Sequence, residues 1–235
     1  MSLIFNNIDK MSFDDLGEES EFIPLMTSED EEALEKENLP EVLPILPLTN
    51  TVLFPGVVIP INAGRDKSIK LINDANKSNK LIGVVAQKDI KIENPSIEDI
   101  FNIGTVAKIL RVLKMPDGNT TVIIQGKKRF KIKSVVKTDP YIQATINSIT
   151  DKNQKKSNSK FTATIDAIKD IALKIIKENP NIPSEASFAI KNIHSSAFLI
   201  NFVCSNMNIS VKDKQDLLSS LNIENRALKC LKFLN

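Results

Sequence analysis

Few side chains in this sequence are arranged for covalent or metal chemistry. Metal centres need clustered His, Cys, Asp or Glu ligands, and the single histidine, His194, falls between predicted helices, where a capping or surface role is expected. Lys67 and Ser68 are adjacent at a predicted helix start, which favours capping over a serine–lysine nucleophile pair. The only Gly-Lys pair begins at Gly126 and lacks the Ser or Thr of a phosphate-binding loop. The sequence therefore predicts a chain without catalytic, metal-binding or cofactor-binding residues.

The bulk composition is that of an ordinary globular protein. The chain has 235 residues, of which 42% are hydrophobic and 26% are charged, enough for one large domain or two small ones. No run approaches the roughly 20 apolar residues of a membrane span, and the N-terminus lacks a secretory signal. We therefore expect a cytoplasmic protein with no membrane partner. Cys204 and Cys230 are expected to be small buried residues, although a disulfide between them stays open.

The net charge of +2 hides a strong asymmetry along the chain. Residues 1–41 contain 13 of the 29 acidic residues but only two of the 31 lysines and arginines, so the rest of the chain is strongly basic. Apolar groups at residues 3–5 and 22–26 are separated by acids, with no helix or strand period. We therefore predict an acidic, mostly disordered arm over residues 1–41. This arm either folds back on the basic body or acts as a solvating tail.

A proline-rich apolar stretch, residues 43–60, is expected to organise the fold. Prolines at 44, 47, 55 and 60 exclude a helix and predict short extended pieces broken at Pro47 and at the Pro55-Gly56 turn. Such pieces suit a small, sharply bent barrel. About six strands and one helix are predicted over residues 42–150. A Pro-Asp-Gly hairpin turn is expected at 116–118, followed by a return strand over 120–125, a second turn at Gly126 and a strand over 129–136.

The C-terminal part is predicted to be helical. A polar linker is expected at 151–160, followed by a helical bundle over 161–235. The apolar stripe of its first helix is Phe161, Ile165, Ile168, Ala172 and Ile175, and that of its last helix is Ala227, Leu228, Leu231 and Leu234. Because the last stripe is still running at the chain end, we expect a longer helix that has been cut. The predicted fold class is α+β, a small β barrel with one helix followed by an α-helical bundle.

Several short motifs share the order and spacing of a known family. They are Leu-Pro-Leu at 46–48, Phe-Pro-Gly at 54–56, Pro-Ile at 60–61, Gly-Arg-x-Lys-Ser at 64–68, Val-Ala-Gln-Lys at 85–88, Asp-Ile-Phe-x-Ile-Gly-Thr-x-Ala at 99–107, Leu-Lys-x-Pro-Asp-Gly at 113–118, Gly-x-x-Arg at 126–129, Lys-Gln-x-Leu-Leu at 214–218 and Asn-Arg-x-Leu at 225–228. Together they resemble the N-terminal domain of the Lon family of ATP-dependent proteases, over about residues 42–235. Thr49 departs from the pattern, because the family usually has Arg there.

The resemblance implies a PUA-like barrel and a helical bundle that bind misfolded or degron-bearing proteins and support hexamer assembly in protein quality control. It further implies a longer parent protein, an ATP-dependent serine endopeptidase with a Ser-Lys dyad. ATP and Mg²⁺ are then expected only in the AAA+ module of that parent, and no cofactor is expected in this chain.

Candidate residues for polypeptide binding lie near the two predicted turns. Binding of unfolded proteins needs exposed apolar surface, turn-proximal aromatic residues are hard to bury, and Met adapts to varied partners. These arguments select Phe54, Leu113, Met115 and Ile123. An ordinary core role for each of them stays open.

Two other functions are possible from the sequence. One is a stand-alone adaptor or structural module that associates with itself through this N domain or the final helix. The other is nucleic-acid binding through the basic ribbon at 127–133. With 5% aromatic residues and no Trp, however, the chain has few platforms on which bases could stack.

Overall fold

The computed structural model describes residues 39–114, 120–151, 159–179 and 184–234. In this part, the strands are β1 (Val42–Leu48), β2 (Val58–Ala63), β3 (Leu81–Ala86), β4 (Ile103–Lys114), β5 (Thr120–Lys137) and β6 (Gln143–Ile149). The helices are α1 (Asp66–Asn76), α2 (Ser159–Glu178), α3 (Ser184–Asn192), α4 (Ser196–Asn206), α5 (Val211–Ser219) and α6 (Ile223–Leu234). The predicted α+β class is confirmed. Residues 1–38, the Pro-Asp-Gly turn and most of the expected linker lie outside the described residues.

The six strands form one sheet in the order β2-β5-β4-β3-β1-β6. β1 and β3 are parallel, whereas the other pairs are antiparallel. The C-terminal part of β5 also pairs with β6, so β5, β4, β3, β1 and β6 form a closed circuit of pairings. Register shifts in both the β4–β5 and the β5–β6 ladders bend the strands, as β-bulges do.

The expected break at Pro47 is wrong, because β1 runs through both Pro44 and Pro47. The first three residues of β1 pair with β6 and the last four with β3. Amide groups of alternate residues face opposite edges of a strand, and Ile45 donates to Ile142 on the β6 side at 2.8 Å. The nitrogen of Pro47 therefore faces the β6 side beyond the last β6 pair. That of Pro44 faces the β3 side before the first β3 pair. Neither missing N–H interrupts a ladder.

The expected turn at Gly126 is also wrong, because β5 is one continuous strand of 18 residues. Gly126 donates to the carbonyl of Val57 and accepts from the amide of Gly56, both at 2.9 Å. A Cβ placed on Gly126 would lie 2.2 Å from the carbonyl oxygen of Phe54. The glycine therefore permits close approach of the Phe-Pro-Gly segment to β5, which is a different use of glycine from turn formation.

One large hydrophobic cluster joins the sheet, α1 and the C-terminal helices, and a smaller one lies under β1 and β6. The predicted stripe of α2 is confirmed at Ile168 and Ala172, which are fully buried. In α6, Ala227 and Leu234 are buried as expected, but Leu228 is 43% exposed. The buried side of α6 instead contains Cys230, which lies at helical spacing between Ala227 and Leu234. No helix of the described ranges is both long and apolar enough to cross a bilayer.

We expect Gly126→Ala to lower the free energy of unfolding by about 2–4 kcal/mol, because the new methyl group meets a backbone oxygen that cannot rotate away. Gly64→Ala is the matched control, since nothing lies within 4 Å of a Cβ at Gly64. Urea unfolding followed by circular dichroism measures both variants. Equal stability of the two variants would contradict the packing described for Gly126.

Candidate functional site

Strands β2, β5 and β4 present a side-chain face that points away from the core. Ladder pairing arranges nine side chains on it in three rows: Val58, Gln125 and Lys108; Pro60, Ile123 and Arg111; Asn62, Thr121 and Leu113. None of the nine is buried, whereas their sequence neighbours Ile59, Ile61, Val122 and Ile124 are buried. Directly opposed side chains lie about 5 Å apart in such a ladder. We call these nine residues the outer face.

The outer face is partly apolar. Ile123 lies at its centre, flanked by the exposed Pro60, and Val58 and Leu113 occupy the neighbouring rows, each half-buried. Leu110, which is 43% exposed, borders the face in a register shift between Ile109 and Arg111. The extra residue in this bulge puts Lys108, Arg111 and Leu113 on the same side of β4. The result is a contiguous apolar strip with polar and basic side chains around it.

The structure brings two of the four predicted binding residues to this face. Leu113 and Ile123 are diagonal neighbours across the β4–β5 ladder. Met115 lies outside the described residues. The expectation that Phe54 is exposed is wrong, because its side chain is fully buried.

The Phe-Pro-Gly turn is covered from two sides, which explains the burial of Phe54. The carbonyl of Leu53 accepts from the Thr105 hydroxyl at 2.6 Å, and the carbonyl of Pro55 accepts from the Asn201 amide of α4 at 3.2 Å. An aromatic residue near a turn can be fully buried when the turn itself is packed between a sheet and a helix.

Three apolar residues of this strip escaped the sequence analysis. Val58 and Pro60 alternate with Ile59 and Ile61, which was a usable signal for two opposite faces, but the candidates were chosen by their closeness to turns and not by this alternation. Leu110 gave no signal, since a bulge inside an apolar run leaves the residue alternation ambiguous.

The charged side chains of the described strands are all basic. The six described strands together contain nine Lys and Arg residues, all in β4 and β5, and no Asp or Glu. Lys108, Arg111 and Lys114 are exposed along β4, beside the apolar strip. Because a sheet without acidic side chains has no internal neutralisation, this face attracts negatively charged segments.

A buried ionic cluster joins the sheet to the C-terminal helices. Arg129 of β5 and Arg226 of α6 both contact the carboxylate of Asp151, which follows β6; Arg226 Nη2 lies 2.7 Å from its Oδ1. Arg129 also donates to the carbonyls of Leu218 at 2.7 Å and Ser220 at 2.8 Å, at the end of α5. Burial, and then the charge of Arg226, lower the pKa of Arg129 to about 10 despite the opposing effect of Asp151. We call these three side chains the arginine clamp.

Other hydrogen bonds reinforce this junction and one loop. Gln215 of α5 donates to the carbonyl of Ile103 in β4 at 2.9 Å. Arg65 donates to the buried Gln87, whose amide donates to two carbonyls of the loop that follows β3, including that of Ile92 at 2.6 Å. These contacts hold helices, sheet and loop in fixed relation and leave the outer face uncovered by described elements.

The comparison with known families is decisive. A family model described as the ATP-dependent protease La (LON) substrate-binding domain matches residues 42–235. The chain belongs to this Lon family. The resemblance noted from the sequence is confirmed.

Relatives and solved structures agree with this assignment. A Lon protease of Flavobacterium johnsoniae is 61% identical over 228 residues, covering 97% of this chain and 28% of that protein. A Lon protease of Cytophaga hutchinsonii is 49% identical over 215 residues, covering 92% of this chain and 26% of that protein. The chain thus spans little more than a quarter of these relatives. The N-terminal domain of Mycobacterium avium complex Lon protease has a similar fold, with a TM-score of 0.67 at 18% identity, covering 82% of this chain and 97% of that one.

Most Lon-like motifs of this chain have structural rather than binding roles in the described residues. The Gly-x-x-Arg and Asn-Arg motifs supply Gly126 and both guanidinium groups of the arginine clamp, and the Gly-Arg and Val-Ala-Gln motifs meet at Arg65 and Gln87. Leu113, at the start of the Leu-Lys-x-Pro-Asp-Gly motif, reaches the outer face, as does Pro60 of the Pro-Ile pair.

We expect Asp151→Asn to lower the free energy of unfolding by about 3–5 kcal/mol, because two buried guanidinium groups then lose their shared counter-charge. Asp166→Asn is the matched control, since Asp166 is exposed on α2 and forms no described ion pair. Chemical denaturation of both variants tests this expectation. A loss below about 1 kcal/mol for Asp151→Asn would show that the clamp contributes little.

A third buried cation, Lys214, makes stability depend on pH. Lys214 of α5 donates to the carbonyl of Ser205 at 2.6 Å, and burial lowers its pKa to about 8 from the ordinary value of 10.5. Above about pH 8 the Lys214 side chain therefore binds more protons in the unfolded chain than in the folded one, and its contribution raises the free energy of unfolding. Burial raises the pKa of the nearby Cys204 thiol above its usual 9.0, which opposes this rise above about pH 9.

We therefore expect the free energy of unfolding to increase by about 1 kcal/mol between about pH 8 and pH 9 in the wild-type chain. Lys214→Met should abolish this increase, whereas Lys212→Met, at an exposed position of the same helix, should keep it. Urea titrations at several pH values measure the slopes. The same slope in all three proteins would contradict the assignment to Lys214.

Proposed function

We propose that this chain is the non-catalytic, polypeptide-binding N-terminal part of a Lon-like ATP-dependent serine protease, and that it captures misfolded or degron-bearing proteins through the outer face. The observation that carries this proposal is the contiguous apolar strip of Val58, Pro60, Ile123, Leu113 and Leu110 on an otherwise polar surface. Membership in a family of substrate-binding domains supports it. Proteolysis, ATP and Mg²⁺ then belong to other parts of the parent protein.

The chemistry of the outer face suits unfolded chains of varied sequence. Apolar side chains exposed by misfolding can cover Ile123 and Leu113, while Asn62, Thr121 and Gln125 offer hydrogen-bonding groups around them. The side chains of Asn62 and Thr121 are already joined by a hydrogen bond of 2.9 Å, so this corner is held in place before a partner arrives. No deep pocket is required, which matches binding of many sequences with modest affinity.

A bound polypeptide contacts the side chains of the outer face and does not pair as an added strand with the edge of the sheet. Among the described strands β2 pairs only with β5, so its other edge is unpaired. The carbonyl of Val57 accepts from Gly126 of β5, and by alternation the nitrogen of Pro60 faces the unpaired edge. A proline at this position removes a hydrogen-bond donor that an added strand would need. Prolines in edge strands commonly prevent unwanted pairing in this way.

We also propose how the chain is divided and assembled. The closed circuit of strand pairings supports a PUA-like barrel over residues 42–150, joined by a linker at 151–160 to a helical bundle over 161–235, with the acidic arm before it. Leu228 and Phe233 remain exposed on α6. These side chains support self-association through the C-terminal helix, within a hexameric parent. A stand-alone adaptor is the alternative, and a reading frame that ends at residue 235 would favour it.

The basic strands favour one second candidate, the binding of nucleic acid. Exposed Lys131 and Lys133 continue the basic surface along β5. Such binding would be electrostatic and would weaken steeply with added salt, whereas apolar capture of polypeptides would persist. A salt titration with single-stranded RNA and with an unfolded protein separates the two functions.

We expect the double substitution Leu113→Ser and Ile123→Ser to weaken binding of reduced, carboxymethylated α-lactalbumin about tenfold, because the centre of the apolar strip is lost. Both side chains are only half-buried, so the fold should survive, which circular dichroism checks. Val135→Ser with Val136→Ser, at exposed positions elsewhere on β5, is the matched control. Fluorescence anisotropy gives the affinities. Unchanged binding of the Leu113 and Ile123 variant would place the binding site elsewhere.

A further inference from the structure

We infer that residues 18–32 of this chain occupy the outer face as a tethered competitor of substrate. This inference rests on the proposed function, because it adds a regulator to the same surface. It commits to one occupant, a named segment of the acidic arm, and depends on two observations. These are the charge of the strands and the pattern of the arm sequence.

The outer face is complementary to a ligand that is both apolar and acidic. Ile123 and Leu113 supply apolar contact area. On β4, Arg111 stands in the row of Ile123 and Lys108 in the row next to it. With no acidic side chain in the six described strands, nothing within the sheet compensates these cations. A segment with an apolar centre and carboxylates on both sides would therefore complement the outer face in polarity and in charge.

One segment of the arm has this pattern. Residues 22–26 read Phe-Ile-Pro-Leu-Met, and seven acidic residues flank them: Glu18, Glu19, Glu21, Glu29, Asp30, Glu31 and Glu32. Pro24 disfavours a helix and favours an extended backbone, which suits a flat strand face. The other apolar group of the arm, residues 3–5, has Asp9 as its nearest acid and lacks this flanking charge. Charge complementarity thus selects residues 18–32.

Because residues 18–32 are linked covalently to the sheet, a weak contact is sufficient for them to occupy the outer face. Thirteen peptide steps separate residue 26 from Leu39, where the described chain begins, and an extended chain of that length reaches about 40 Å. A linker of this kind gives an effective concentration on the order of 1 mM. A segment whose intrinsic dissociation constant is about 0.1–1 mM would then cover the face for half to nine-tenths of the time. The apparent dissociation constant for substrate would rise about 2–10-fold.

The first experiment uses the full chain with Phe22→Ser and Leu25→Ser, and reduced, carboxymethylated α-lactalbumin as the probe. Removal of the competitor should tighten binding of the probe by about 2–10-fold at low salt, with a smaller gain at high salt. Leu3→Ser with Phe5→Ser is the matched control and should leave the affinity unchanged. Equal affinities for the wild-type chain and the Phe22 and Leu25 variant would overturn the inference.

A second experiment locates the segment directly. The photoreactive residue benzoylphenylalanine replaces Phe22 in the full chain, and mass spectrometry maps its cross-links at several protein concentrations. Intramolecular cross-links to β2, β4 or β5 are expected. Intramolecular cross-links confined to the helices, or cross-links found only between chains, would overturn the inference.

The two proposals fail in different ways. If Leu113→Ser with Ile123→Ser leaves probe binding unchanged, the outer face is not the binding site and both proposals fail. If that variant weakens binding while Phe22→Ser with Leu25→Ser leaves it unchanged, the proposed function stands and only the competitor is excluded.

Discussion

The arginine clamp is the interaction on which the arrangement of this molecule depends. Two guanidinium groups, both nearly without solvent contact, share the carboxylate of Asp151 between the sheet and the last two helices. Such a cluster costs desolvation free energy, which is offset only if each charge finds close partners. The carbonyls of Leu218 and Ser220 supply these partners at the end of α5. Because the partners come from β5, from the residue that follows β6, from the end of α5 and from α6, the clamp is complete in one arrangement of helices on sheet.

The residues that hold the fold together lie on the opposite side of the sheet from the outer face. The Phe-Pro-Gly turn, Gly126 and the clamp all lie where the sheet meets the helices, and their groups are committed to one another. Strands β2, β5 and β4 are therefore held by contacts on their inner side, which leaves the outer face with side chains that no described neighbour covers. A rigid sheet with an adaptable apolar surface is a physically reasonable basis for binding partners of many sequences.

The sequence predicted the secondary-structure elements better than the roles of individual residues within them. Alternation and helical spacing were sufficient for the α+β class, for Ile168 and Ala172 in the core and for Leu113 and Ile123 near a hairpin. Local rules failed where long-range pairing decided the outcome. Pro47 stays inside a strand because its missing N–H faces a side without a partner. Gly126 stays inside a strand because a distant carbonyl approaches it. Phe54 is buried in the cluster that the sheet shares with the C-terminal helices, and the next residue bonds to a helix side chain 146 residues further along the chain.

The bulge at Leu110 keeps the outer face in register. Side chains alternate between the two faces of a strand, so one additional residue in a regular ladder would move every later residue of β4 to the opposite face. The bulge instead absorbs Leu110 between Ile109 and Arg111, and Arg111 and Leu113 stay on the side of Lys108. A relative that lacked Leu110 would therefore keep Leu113 on the outer face and lose only the side chain at the bulge. At this position, β4 can lose a codon without exchanging the side chains that its two faces present.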